Sequence, residues 1–169
     1  MPNIKQIISN HNKSITKKNK PQEPTQPSCN CRRNTVCPLD GKCLTSGVIY
    51  QATVTRQDNL KEETYVGLTD NTFKVRYTGH TSNFRNENKR NATTLSQHIW
   101  TLNDNNIPHS VKWKIIARSN SYSTSSKKCN LCLKEKYFII CKPQMASLNN
   151  RNELAAECRH RKKYLLCNY

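Results

Sequence analysis

Four groupings of residues in this chain have types and spacings that can do chemistry. The first is Cys29-x-Cys31-x5-Cys37-x5-Cys43, four thiols within 15 residues that can close tetrahedrally around one Zn²⁺. The surrounding CNCRRNTVCPLDGKC is too polar to fold alone, so metal would supply its stability. Its plainer reading is four reduced thiols in a loop. The second is Cys129-x2-Cys132, a half-site at a helix start, which Cys158-x-His160 from the next helix would complete as a second Zn²⁺ site. Here the plainer reading is simple burial, because Cys is a common core residue. The third is Arg76 and His80, four apart on a predicted helix and therefore on one face. A guanidinium beside an imidazole suits a phosphodiester: one stabilises developing charge and the other exchanges a proton. In so basic a chain, surface Arg and His are also ordinary. The fourth is Glu135, whose helical neighbours are Leu131, Cys132, Phe138 and Ile139. A carboxylate buried on that apolar face is costly unless a metal or a cation offsets it. Otherwise Glu135 marks the wet edge of a helix that is apolar nearly all round.

Composition narrows the classes. The chain has 169 residues and a mass of 19.6 kDa, one domain with a tail. Its net charge is +17 and its pI about 9.7, which favours polyanionic partners, nucleic acid above all. A mean hydropathy of −0.87 with 34% apolar residues leaves room for a modest core. No run of 18 apolar residues occurs, so no membrane span is expected. The opening MPNIKQIISNHNKSITKKNK lacks the apolar stretch of a signal peptide, so secretion is not expected. Nine cysteines without such a signal point to reduced thiols and metal rather than disulfides. Neither GxxxxGK[ST] nor GxGxxG is present, which disfavours nucleotide hydrolysis by those routes.

The elements that must position these groups follow from the pattern. Residues 1–28 read as a short helix around Ile4, Ile7 and Ile8 followed by a basic, Pro-containing linker. Residues 29–45 form the Cys-rich segment, and 46–169 a mixed domain. In GVIYQATVT, Val48, Tyr50, Ala52 and Val54 alternate with Ile49, Gln51 and Thr53, which predicts a strand. EETYVGLT predicts a second, joined to the first through QDNLKE. Phe73, Arg76, Tyr77 and His80 share a helical face, with Thr69 or Asp70 as N-cap and Gly79 as a weak point. ATTLSQHIWTLND is amphipathic through Leu95, Ile99 and Leu102, capped by Thr93 or Thr94. SVKWKIIARS predicts a third strand with Val111, Trp113 and Ile115 on one face. CNLCLKEKYFIICKPQ predicts a helix stopped before Pro143, and LNNRNELAAECRHRKKYLLCNY a last, basic helix. Cys141 and Cys167 are expected in the core or outside any site. The fold class is α+β: a small three-stranded antiparallel sheet flanked by helices, with a Cys-rich N-terminal extension.

Two strand motifs, Val48-Ile49-Tyr50 and Tyr65-Val66-Gly67, precede Arg76 and His80, then Glu135, then Asn149. In order and topology this series resembles the GIY-YIG nuclease superfamily over roughly residues 46–160. It is most similar to the endonuclease module at the C-terminus of Penelope-like retroelements, where a reverse transcriptase precedes the nuclease. MPNIKQIISNHNKSI resembles the end of that polymerase, and CNCRRNTVCPLDGKC and CNLCLKEK…NRNEL…CRHRKKYLL resemble that lineage. Val48 stands where the motif has Gly, and Val66 where it has Ile. Fourteen residues separate Tyr50 from Tyr65, more than in compact members, and no Cys pair lies between them. Of Asn149, Asn150 and Asn152, the LNNR context favours Asn149 as the final motif residue.

The resemblance implies a DNA endonuclease, with RNA as a further polyanionic partner and a reverse transcriptase attached or associated. It implies one Mg²⁺ or Mn²⁺ held by Glu135, and Tyr50 as the group that positions or deprotonates water, with Tyr65 or His80 as the competing base. Arg76 would stabilise the phosphorane, and Asn149 would steady the site. A rival reading is a non-catalytic, zinc-stabilised nucleic-acid-binding module, and a third is a ribosomal-type RNA-binding protein. The substrate and the run Arg159-His160-Arg161-Lys162-Lys163 imply a nuclear, or else cytoplasmic, location.

Overall fold

The computed structural model describes residues 4–18, 28–33, 36–119 and 129–150. Helix α1 spans Ile4–Lys18, strand β1 Val48–Arg56, β2 Glu62–Thr69, helix α2 Phe73–Asn83, α3 Thr94–Asp104, strand β3 His109–Arg118 and helix α4 Asn130–Cys141. Short 3₁₀ turns lie at Glu87–Lys89 and Pro143–Met145. The strands form one antiparallel sheet in the order β2-β1-β3. The architecture is therefore α+β, as the residue pattern predicts. The last predicted helix, with Cys158, His160 and Cys167, falls almost wholly outside the described residues. Among those residues, no helix is long and apolar enough to cross a membrane.

The central strand dictates the layering. Most of β1 is buried on both faces, so both are covered. Val48, Tyr50, Ala52 and Val54 enter a core completed by Phe73 of α2 and Leu95, Ile99 and Leu102 of α3. Ile49 enters a second core with Val66, Leu131, Ile139 and Cys129, on the side of α4. The sheet thus lies between α2 and α3 on one face and α4 on the other. Gln51 is buried among these layers, and its amide donates to the Met145 carbonyl at 2.7 Å. Without that acceptor its burial would cost about 1–3 kcal/mol.

Local details agree with the sequence in one helix and depart from it in another. Thr93 caps α3 as expected, its Oγ1 accepting from the Ser96 N–H at 3.0 Å. Helix α2 starts later than its predicted cap. Thr69 closes β2, and Thr72 is the N-cap but makes no side-chain capping bond. Gly79 is tolerated within the helix, where a side chain would meet open space.

Val111, Trp113 and Ile115 pack on the Tyr50 core, as the alternation implies. The ladder then slips: Tyr50 pairs with Ile115 but Ile49 pairs with Ala117, leaving Ile116 as an inserted residue. Such a bulge bends the strand beside Tyr50. Ile116 and Ala117 pack on the opposite core.

The outer edge of β2 is covered by the chain after α4. The Thr64 N–H donates to Ser147 Oγ, and the Leu148 N–H donates to the Thr64 carbonyl, both at 2.8 Å. The Cys-rich segment also joins this fold, since buried Leu39 belongs to the same core as Tyr50 and Phe73.

Candidate active site and metal centre

Tyr50 is fully buried at the centre of the sheet. Its ring meets Phe73 edge-on at 5.3 Å and Trp113 at 5.9 Å between centroids. Its hydroxyl reaches past its cross-strand partner on β2, Gly67. A Cβ built on Gly67 would collide with that hydroxyl and lie 2.6 Å from Tyr50 Cζ. Only glycine leaves room there. The sequence carries a signal for this, since glycine inside a strand often marks a close approach, but nothing in it names Tyr50 as the neighbour.

Two side chains of α2 converge on the same hydroxyl. Arg76 donates Nε–H to Tyr50 Oη at 2.8 Å, and His80 Nε2 lies 2.8 Å from it. The four-residue spacing on one helix face places both there. His80 is 1% exposed and its Nδ1 has no hydrogen-bond partner. Either tautomer leaves one hydrogen over: the Nδ1–H if Tyr50 donates to Nε2, or the Tyr50 O–H if Nε2 donates to Tyr50.

The electrostatics follow from burial. Desolvation raises the Tyr50 phenol to about 12, the Arg76 charge and hydrogen bond oppose this, and the charge of Glu135 adds to it. Glu135, half-buried on α4, is thus close enough to act on this hydroxyl. Burial of Arg76 opposes its charge, but interactions with Tyr50 and Tyr65 outweigh that and hold it protonated. Burial, with Arg76 second, lowers His80 to about 3. His80 is therefore neutral at physiological pH and far too weakly basic to compete for a proton. Its contribution narrows to holding the Tyr50 oxygen.

Tyr65 lies on the same face as Tyr50, its ring 6.0 Å from that of His80. Asn149 does not point at the hydroxyl cluster. Its Oδ1 accepts from the Val66 N–H at 2.7 Å, and its Nδ2 donates to the Val66 carbonyl at 2.8 Å. It acts as one more rung on the edge of β2 and fixes the residue between Tyr65 and Gly67. Tyr50, Tyr65, Arg76, His80 and Glu135 thus share one neighbourhood, with Asn149 bracing its outer strand.

The metal centre is separate. The sulfur atoms of Cys29, Cys31, Cys37 and Cys43 all lie within 4.8 Å of one another. Cys29 and Cys43 are 3.5 Å apart, and Cys31 and Cys43 3.7 Å. Tetrahedral Zn–S bonds of about 2.3 Å place sulfur atoms about 3.8 Å apart. The cluster can hold a metal ion such as zinc.

The backbone around it is arranged for thiolates. Burial pushes Cys37 up, but backbone hydrogen bonds from Leu39 and Gly41 and its bonds with Cys29 and Cys43 outweigh this and bring it to about 6. Cys43 is raised to about 12, first by burial and then by its hydrogen bonds with the three neighbouring thiols. The Cys31 N–H also donates to Cys29 Sγ at 3.3 Å. Gly41, at φ +87°, permits the turn that closes the loop.

The second predicted set is only half described. Cys129 is buried in the α4-side core and Cys132 packs against it, while Cys158 and His160 lie outside the described residues. Cys141 is exposed rather than core. Compared with known proteins, the chain matches no family model, no curated protein and no solved structure.

Proposed function

We propose that this protein is a metal-dependent endonuclease of the GIY-YIG type, of retroelement origin, that hydrolyses phosphodiester bonds in DNA. The observation that carries this reading is the Tyr50 hydroxyl, held at 2.8 Å by both Arg76 and His80 and felt by the carboxylate of Glu135. A buried phenol with a guanidinium and an imidazole converging on its oxygen and a nearby carboxylate is more than packing requires, and each partner suits phosphoryl chemistry.

In this mechanism Arg76 faces the scissile phosphate and stabilises charge as it grows on the non-bridging oxygens. Tyr50 orients the attacking water; it takes that water's proton only from its phenolate form, which Arg76 favours by donating to the oxygen and which a cation at Glu135 would favour further. Half-buried Glu135 is a hard oxygen ligand of the kind that Mg²⁺ takes together with substrate phosphate. When bound there, Mg²⁺ or Mn²⁺ supplies Lewis acidity to the phosphate and its leaving oxygen. A cation at Glu135 also reverses that residue's upward push on Tyr50. The Cys29, Cys31, Cys37 and Cys43 cluster binds structural Zn²⁺. The excess of Lys and Arg holds the DNA backbone, so affinity falls steeply with salt.

Plasmid relaxation tests this. Supercoiled DNA is incubated with the wild type or with Glu135→Ala, in Mg²⁺ and in EDTA. Nicking by the wild type alone, and only with Mg²⁺, is the expected result. Equal DNA binding without cleavage by either protein would overturn it and leave the zinc-stabilised binding module in its place.

A further inference from the structure

Helix α2 begins without help from its own N-cap, because Thr72 makes no side-chain capping bond. Its first two N–H groups are nonetheless satisfied. The Phe73 N–H donates to the Thr45 carbonyl at 2.9 Å, and the Lys74 N–H to the Cys43 carbonyl at 2.7 Å. Lys74 Nζ then donates to Asn30 Oδ1 at 2.6 Å. Every one of these acceptors belongs to the Cys-rich loop, one of them to Cys43 of the thiol cluster itself. Leu39, between Cys37 and Cys43, is buried in the core that contains Phe73 and Tyr50. Arg76 and His80 follow within the next two turns of the same helix.

We propose that the loop bearing Cys29, Cys31, Cys37 and Cys43 is the N-terminal cap of α2, and that its closure through four metal-bound thiolates fixes the placement of Arg76 and His80 on Tyr50. Besides those thiols the loop is held by short-range backbone hydrogen bonds and by its bonds to α2; its side chains are mainly polar, and Leu39 is its single buried aliphatic residue among those described. Without a metal the four sulfurs are not tied to one another, and the carbonyls of Cys43 and Thr45 are free to leave the helix end. The first turn of α2 then frays, and Arg76 is the residue that follows it. Metal occupancy in the loop becomes a control on the phenol site without any ligand entering that site. The consequence for catalysis rests on the nuclease reading; the structural coupling does not.

Amide hydrogen exchange on the full chain separates the two. It is followed by NMR for the zinc-loaded protein and for the same protein after zinc is withdrawn with a chelator. The expected result is exchange at Phe73 and Lys74 faster by about tenfold or more, with the β1–β2 and β1–β3 ladders still protected. Lys74→Ala, which keeps all four thiolates, should retain zinc and show a smaller acceleration at the same amides. Zinc loss with unchanged protection at Phe73 and Lys74 would overturn the proposal. So would equal loss of protection throughout the sheet, which would make the metal a general requirement of the fold. In a parallel arm at constant Mg²⁺, zinc withdrawal should reduce nicking by at least the same factor while DNA binding persists. A wild type that never nicks sinks the nuclease reading and leaves the exchange result to decide the coupling on its own.

Discussion

The thiol cluster and the phenol cluster are built in opposite ways. The four sulfurs come from a single stretch, Cys29 to Cys43, and short loops bring them together. The groups around Tyr50 come from β1, β2, α2 and α4, spread from Tyr50 to Glu135. The first cluster is local and could hold a metal ion. The second exists only when the sheet and its helices are in place, and side-chain hydrogen bonds to Tyr50 hold it together. Spacing alone can therefore reveal the first, whereas the second is a product of the fold.

The sharpest way to break this contrast is Arg76→Ala. Nicking should fall by about 10²–10³-fold, the usual cost of removing one donor that stabilises developing charge. DNA affinity measured by fluorescence anisotropy should change little, and zinc content should not change. Equal losses in cutting and binding would make Arg76 a phosphate clamp, and a loss of zinc would mean that the two regions are not separable.

A smaller effect concerns acid. His80 is held at about 3, below its ordinary 6.5, so the unfolded chain takes up its proton first. Its contribution to stability is complete above pH 6.5 and declines as pH falls toward 3. Urea denaturation at pH 6.5 and pH 5 should show the wild type losing up to about 1.4 kcal/mol per pH unit more than His80→Phe. Parallel profiles for the two proteins would mean that His80 is not held neutral.

The smallest effect is expected from Asn149→Ala, which removes two hydrogen bonds to the Val66 backbone. Stability should drop by about 1–2 kcal/mol in the same denaturation experiment. Nicking should decrease less than in Arg76→Ala, and zinc content should remain. A loss of cutting as severe as that of Arg76→Ala would place Asn149 at the reacting atoms rather than on the strand edge.

Much of this molecule is readable from periodicity. The alternation in VIYQATV gives a strand, which the fold buries on both faces, and Thr93 or Thr94 before LSQHIW gives a capped helix, with Thr93 as the cap. The four-residue step from Arg76 to His80 gives two groups on one side. What periodicity misses is contact between distant segments. Thr69 and Asp70 look like caps for α2, but its end is satisfied by the carbonyls of Thr45 and Cys43, far earlier in the chain. Carbonyls are common to all residues, so they leave no trace in composition. Asn149 is visible as a polar residue in an LNNR turn, but its backbone target is not. The depressed basicity of His80 is likewise set by burial against Phe84, Trp113 and two tyrosines, which only the folded chain assembles.

The covering of the β2 edge also bears on how copies of this chain meet. An exposed strand edge invites another chain to extend the sheet. On β2 the backbone groups of Thr64 and Val66 are already engaged by Ser147, Leu148 and Asn149. The other edge strand, β3, carries exposed Lys112 and Lys114 in alternation with its buried side. Two such strands approaching each other bring like charges together. The sheet therefore resists self-extension by obstruction on one side and by repulsion on the other, and only the second of these weakens as salt is added.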